Sequence, residues 1–250
     1  SMKDFNRGSL YNGPLAIMVN NSSASASEVL AAILQDYNRA IIVGNTTFGK
    51  GTAQTIIPLN NSQSSILKVT IENFYRVTGK TYNGKGVQPD IILPAYNQQN
   101  YPHSFATFNQ MLPESIEKKT YYSPLDTFPN HVLAQKSKYR VAQSAKFQEI
   151  ENIKGTADIL SKNKTMYSLQ LDSIISDIIQ LKQNQIATDK TIENEAELFA
   201  VELTENNSRD ASAYPYYKEL YQTISTGILT DPYIEETYNI LNDYNSLISK

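Results

Sequence analysis

LAIMVNNSSASASEVLAAILQDYNRAIIVG, residues Leu15–Gly44, decides how this 250-residue chain folds. Leu15 to Asn20 is a near-continuous apolar run, as expected of a strand buried on both faces. From Ala24 to Asn38 the apolar side chains fall at Val29, Leu30, Ala32, Ile33, Leu34 and Tyr37, a helical spacing. Ala40 to Val43 is apolar again and stops at Gly44. Strand, helix and strand within about 30 residues make a βαβ unit, which requires a parallel sheet and a right-handed crossover.

Working outward, Thr55–Leu59 and Ile66–Val77 are rich in β-branched residues and read as strands. In the second, Leu67, Val69, Ile71 and Asn73 alternate with Lys68, Thr70 and Glu72, so one face is expected to be solvated. A loop punctuated by Gly79, Gly84 and Gly86 leads through Val87-Gln88-Pro89-Asp90 to a short strand, Ile91 to Leu93, closed by Pro94. Residues 95–130 hold four prolines and many aromatics, the pattern of an ordered connector lying along a surface. Beyond them helix formers dominate, with helices expected over Val132–Ile153, Ala157–Ile186 and Thr191–Thr204. The spacing of Leu160, Tyr167, Leu171, Ile174, Ile178 and Leu181 suits a helix-bundle core better than a coiled-coil seam. Asp231-Pro232 is an N-cap and first-turn pair opening a last helix, with Ile234, Tyr238, Leu241 and Ile248 on its apolar face. The expected organisation is an α/β part over residues 1–94, a connector over 95–130 and an all-α part over 131–250. The first 13 residues contain no complete element before Pro14 and the first strand, the pattern expected of a piece cut from a longer chain.

Composition narrows the function classes. A 40% hydrophobic and 19% charged chain is globular rather than disordered. A net charge of −3 with no basic stretch gives no footprint for nucleic acid. There is no cysteine, which removes thiolate chemistry. Only His103 and His131 carry imidazole, without ligand-like spacing, so neither a metal nor a cofactor is expected. No run reaches the roughly 20 apolar residues of a membrane span. The 17 tyrosines serve packing and interface surface rather than chemistry.

Two side chains in the central stretch could do chemistry together, Ser25 and Lys50. A serine hydroxyl is a weak nucleophile unless a base takes its proton. With no histidine in the stretch, a neutral lysine can fill that role, provided burial lowers its pKa. Bringing that pKa from about 10.4 to near neutrality costs about 4 kcal/mol, which only a desolvated site supplies. Gly49 and Gly51 flank Lys50 and let its backbone run close to a neighbour. Ser25 opens a helix after a parallel strand, where free N–H groups and the helix dipole can hold an oxyanion. Plainer roles exist for each: Ser25-x-x-Glu28 is a capping box, and Lys50 fits a solvated loop. A serine–histidine arrangement through His103 or His131 lacks an orienting acid at any recognisable spacing.

Gly44-Asn45-Thr46-Thr47-Phe48-Gly49-Lys50 also matches the GxxxxGK of a phosphate-binding loop. Gly51 stands where the magnesium-holding Ser or Thr must be, and Thr52–Leu59 reads as a strand where a helix should begin. Both features speak against a nucleotide site.

NSSASASE, LQDYNRA, VGNTTFGKGTAQ and GKGVQPDIILP, in this order across Gly13–Pro94, resemble the carboxyl-terminal processing or tail-specific proteases, serine peptidases with a crotonase-like fold. The resemblance implies an α/β, crotonase-like parallel-sheet protease core, present in part, followed by an all-α C-terminal domain similar to the helical extension of the tail-specific branch. It implies Ser25 as nucleophile, Lys50 as general base, Gln54 as the residue orienting the lysine, and the Ala26 N–H as an oxyanion donor. Asp36 matches an aspartate also implicated in the family, and a structural role holding Arg39 or a backbone group is its alternative. The family's PDZ domain and first protease segment, with a second oxyanion donor, are missing here, so weak or no activity is expected of the piece. The resemblance further implies protein or peptide substrates with apolar C-termini, an adaptor lipoprotein or a second copy of the chain as partner, and a periplasmic or cell-envelope location. The contrasting expectation is a non-catalytic module whose helices dock substrates or adaptors.

Overall fold

The structure is a computed structural model that describes residues 8–9, 11–60, 64–95, 115–118, 121–152, 170–176, 178–179, 182–183 and 200–249. The expected βαβ unit is present as β1 (Ala16–Val19), α1 (Ala26–Asp36) and β2 (Ile41–Gly44). β1 pairs in parallel with β2, Ala16 opposite Ile41, and β2 pairs in parallel with β5 (Ile91–Ile92), Val43 opposite Ile91. The strand order is therefore β1-β2-β5. β2 is central and buried throughout, as its unbroken apolar sequence demands. β1 lies at the edge and buries only Val19 fully, with Met18 exposed. It is less covered than its apolar run suggested.

α1 packs on this sheet through a stripe different from the one its large side chains suggest. Leu30 and Ile33 are exposed, and the buried positions are Glu28, Ala31, Ala32 and Asp36. That spacing of three, four and eight is one helical face. Its two alanines bring the helix close to Val19, Ala40, Ile42, Tyr82 and Val87, which form one core. Consequently a carboxylate sits at each end of the buried stripe, Glu28 at the start of α1 and Asp36 at its end.

β3 (Thr52–Pro58) and β4 (Ile66–Asn73) form a separate antiparallel ribbon, with a register irregularity between Ala53 and Gln54. The alternation in β4 does not produce one covered face: Ile66, Leu67 and Ile71 are exposed and only Val69 is partly covered. A two-stranded ribbon buries a face only against another layer, and none covers it among the described residues.

Two compact units divide the chain. The first takes in the described residues within Ser1–Ile92, Gln99–Gln135 and Ile240–Lys250. Part of the connector is thus built onto the α/β core, where Tyr122 donates its hydroxyl to the Asp36 carbonyl and packs edge-on against Tyr37. Asn38 and Leu125 tie the same corner, Asn38 Nδ2 donating to the Leu125 carbonyl at 2.8 Å. Leu133 and Ile240 are fully buried in this unit.

The second unit comprises the described residues within Leu93–Gln98 and Lys136–Asn239. α2 (Asn130–Gln143) is followed after Ser144 by helical residues 145–152, so the single expected helix is broken there. α3 (Glu205–Ala213) and α4 (Pro215–Thr230) fill the interval between the expected helices, within the part expected to be all-α. α5 (Pro232–Ile248) opens as expected, with Asp231 Oδ1 accepting from the N–H groups of Tyr233 and Ile234 at 2.7 and 3.3 Å. Arg140 grips Glu236 through Nε and Nη2, the shortest bond being 2.7 Å, and Lys146 Nζ donates to the Thr230 carbonyl. Of the helix expected over Thr191–Thr204, residues 191–199 lie outside the described residues. Residues 200–204 are not helical; Thr204 is the N-cap of α3. Most of the Ala157–Ile186 helix and His103 also lie outside the described residues, although residues 171–176 are helical. No described helix is long and apolar enough to cross a membrane.

Candidate active site

Ser25 stands at the N-cap of α1 with φ 61° and ψ −118°, one of two described non-glycine residues with positive φ. An L-residue resists this conformation by about 1–3 kcal/mol, so the surroundings must hold it there. The turn from strand into helix is thereby sharpened, and the serine is presented at the head of the helix beside Ala26. Ala26 occupies the first helical position, where an amide has no intrahelical acceptor, and it is exposed.

What holds Ser25 is Glu28. Its Oε2 accepts from the Ser25 N–H at 2.9 Å, and the Glu28 N–H itself goes to the Ser25 carbonyl at 3.0 Å. Ser25 and Glu28 stand in the capping-box arrangement, yet the serine hydroxyl makes no full cap hydrogen bond. Glu28 has a second set of partners on the loop after β2. Oε2 also accepts from the Lys50 N–H at 2.8 Å, while Oε1 accepts from the Gly49 N–H at 2.6 Å and the Thr47 hydroxyl at 2.5 Å. Thr47 Oγ1 in turn accepts from the Val87 N–H at 2.7 Å, which fixes its own hydrogen on Glu28. Four donors fill the four acceptor positions of a carboxylate. Burial and, secondly, the Glu28 charge push the Tyr82 hydroxyl up to about 12. That hydroxyl is buried without a hydrogen-bond partner among the described residues.

The Lys50 loop is gripped from its other side by the glycine loop. Gly49 has φ 88°, and a Cβ there would meet the backbone of Gly84, Lys85 and Gly86 at 3.0–3.2 Å. Gly86 has φ 72°, and its Cβ would lie 2.3 Å from the Thr47 carbonyl. Only glycine permits the two loops to interlock at this distance. Gly84 N–H donates to the Gly49 carbonyl at 2.8 Å, and Gly51 N–H to Asn83 Oδ1 at 2.9 Å.

This geometry explains why the apparent phosphate loop is not one. The Gly49 and Lys50 amides, which would cradle a phosphate, already hold an internal anion, and the chain continues as β3 rather than a helix.

Among the residues expected at the site, Ser25, Ala26 and Lys50 come together around α1's first turn. Gln54 lies on β3, where Nε2 donates to Thr52 Oγ1 at 2.7 Å and to Thr70 Oγ1 at 3.4 Å. Asp36 does not join them. It ends a helix of 11 residues, some ~16 Å from the first turn, and makes a two-pronged ion pair with Arg76 at 2.5–3.1 Å. Arg39 is not its partner; that guanidinium donates to the carbonyls of Gly13 and Tyr11. Arg76 also donates to Gln35 Oε1, and Gln35 Nε2 donates to Asp90 Oδ1 at 3.0 Å. Asp90 Oδ2 accepts from the Ile42 N–H at 2.8 Å. These contacts lock the far end of α1 to β2 and β5.

Glu28 and Thr47 escaped the sequence reading. A capping box accounted for Glu28 before its place on the stripe of Ala31 and Ala32 could raise the question of what a buried carboxylate bonds. That stripe was the available signal.

The model of the family described as Peptidase family S41 matches residues 2–93. A tail-specific protease of Haemophilus influenzae is 49% identical over 90 residues, 34% of this chain and 13% of that protein. A carboxy-terminal-processing protease of Bartonella bacilliformis is 39% identical over 102 residues, 41% of this chain and 22% of that one. A solved photosystem II D1 C-terminal processing protease overlaps 32% of this chain and 20% of its own at 44% identity, with a TM-score of 0.29. The match therefore covers the α/β part of this chain and less than a quarter of each relative. Across residues 2–93 the chain is similar to peptidase family S41 and to the carboxy-terminal-processing proteases.

Proposed function

We propose that this chain contributes the nucleophile and the general base of a serine endopeptidase acting near protein C-termini, on a partial crotonase-like core. In the first step Ser25 Oγ attacks the scissile carbonyl carbon while the Lys50 amine takes the hydroxyl proton. The resulting oxyanion is met by the Ala26 N–H at the positive end of α1. Lys50 then returns the proton to the departing amine, and the acyl group on Ser25 is released by water. Gln54, its Nε2 committed to the threonines, offers the lysine its carbonyl end as acceptor.

The observation that carries this reading is the pairing of a strained serine at a helix start with a lysine loop tied to the same carboxylate. The similarity to a tail-specific protease and to a carboxy-terminal-processing protease supports it. Substrates with apolar C-termini, an adaptor lipoprotein and an envelope location belong to the same proposal.

Treating the natural full-length protein with a fluorophosphonate and locating the adduct by mass spectrometry tests it. Label on Ser25, lost in Lys50→Ala, is expected. Full labelling in Lys50→Ala would remove the lysine from the mechanism, and an unlabelled Ser25 would leave it as a helix cap.

A further inference from the structure

We propose that Glu28 is the positioning residue of this site: its buried carboxylate holds Ser25 in its strained turn and fixes the Lys50 loop against it. The inference rests on the serine–lysine reading above and assigns the group that ties the backbones of those two residues to one atom.

Three features of the geometry carry it. Glu28 is completely buried, and its four partners come from two segments, the Ser25 turn and the 47–50 loop, which are joined besides by backbone pairing such as the Phe48 N–H donating to the Ser23 carbonyl at 2.9 Å. A single oxygen, Oε2, accepts from both Ser25 and Lys50, so any movement of that atom changes the relation between nucleophile and base. Two of the four donors sit at positive φ, Ser25 and Gly49. Glycine takes that conformation freely, but at Ser25 it is strained and must be held.

The arrangement excludes the other role a buried glutamate could play. With all four acceptor positions taken by protein donors, Glu28 cannot receive the serine proton. It acts through Ser25 and Lys50, not on substrate. The hydrogen bonds to the anion offset its burial, and its place in the first turn of α1 puts it at the favourable end of the helix dipole.

The charge and shape of the carboxylate both matter. An amide at this position presents one oxygen and one NH₂ group. If the oxygen serves Ser25 and Lys50, the NH₂ faces the Gly49 N–H, donor against donor. Reversed, it faces the N–H groups of Ser25 and Lys50.

Glu28→Gln in the natural full-length protein, compared with Thr47→Val, tests the assignment. We expect Glu28→Gln to melt as a folded protein with KM within about threefold and kcat at least ~100-fold lower, the scale of an ångström-sized misplacement. Fluorophosphonate labelling of Ser25 should slow in parallel, and the rising limb of the pH–rate profile should move, because the general base has lost its fixed place. Thr47→Val, which removes one donor and leaves three, should lower kcat about tenfold. Should Glu28→Gln fail to fold, the Thr47→Val profile decides. An unchanged kcat and pH profile in Thr47→Val, or in a folded Glu28→Gln, overturns the proposal. So does a loss of activity that tracks loss of folded protein alone. No labelling of Ser25 in the unmodified protein sinks the serine–lysine reading instead. The positioning claim is then decided by a crystal structure of Glu28→Gln, where an unchanged Ser25 φ overturns it.

Discussion

The backbone amides of Ser25 and Lys50 meet on one atom: both donate to Oε2 of Glu28, at 2.9 and 2.8 Å. Their nitrogens can be no farther apart than those two bonds laid end to end, although 24 residues separate them in the chain. The side chains therefore start from adjacent points, and their lengths suit the division of labour proposed for them. A serine hydroxyl extends little from its backbone, whereas a lysine amine can reach across to it.

Strain at Ser25 is measurable apart from chemistry. Ser25→Gly removes the nucleophile and relieves the positive φ, since glycine adopts φ 61° and ψ −118° without a Cβ clash. We expect it to be inactive and about 1 kcal/mol more stable than Ser25→Ala, a rise of about 2–4 °C in Tm. Equal melting temperatures for the two would mean that the turn is unstrained.

Lys50→Ala should leave the fold in place, because the structural work of that residue is done by its N–H, which alanine retains. Turnover is expected to disappear while the circular dichroism spectrum and melting temperature stay close to those of the parent. In the active protein, kcat/KM should climb with pH on the acidic side of its profile, as in any reaction that needs a free general base. A pH-independent rate would point to another base.

Asp36 is expected to matter for stability and not for turnover. Its side chain is 6% exposed and that of Arg76 17%, so removing one partner leaves a largely buried charge unpaired. Asp36→Ala should destabilise by about 3–5 kcal/mol, with Arg76→Ala similar. The double variant should fall well short of the sum of the two. Activity per folded molecule in Asp36→Asn should match the parent; its loss in a folded protein would return Asp36 to the mechanism.

Asp90 gives a pH dependence of stability with a definite sign. Burial raises its pKa, outweighing the hydrogen bonds from Ile42 and Gln35 and the charge of Arg76, all of which lower it. Between the unfolded and folded pKa values the native protein binds the proton more tightly. This group's contribution therefore falls as pH rises through that window and is level above it. Asp90→Asn should flatten the slope of Tm against pH in the acidic range, and an unaltered slope would show that another group controls it.

The parts of the fold legible in the sequence are those whose residues bury without long-range help. The runs at 15–20 and 40–43 and the helix between them are stated by hydrophobic periodicity alone, and their parallel pairing follows. The β3–β4 ribbon was legible as strands but not in its exposure, which depends on whether another layer covers it. α3 was missed because Glu205-Asn206-Asn207-Ser208 has weak helix propensity. Its signals were local: Thr204 as cap, with Asn207 donating to its hydroxyl, and Pro215 opening α4. At the site, Ser25 and Lys50 were legible from motif and chemistry. Glu28 was not, because its partners come from a loop 19–22 residues away and periodicity says nothing of where backbone N–H groups point.

The interlocked glycine loops set the order in which a working site can come into being. Ser25 is drawn into its turn by a carboxylate whose other donors belong to residues 47–50, and that loop is shaped by residues 84–87. A nascent chain carrying the serine, the lysine and even the whole of β3 lacks the clamp until the segment through Val87 has emerged. Until then the Ser25 turn and the Lys50 loop have no fixed relation to one another, so on the proposed reading the pair is assembled only by the completed fold.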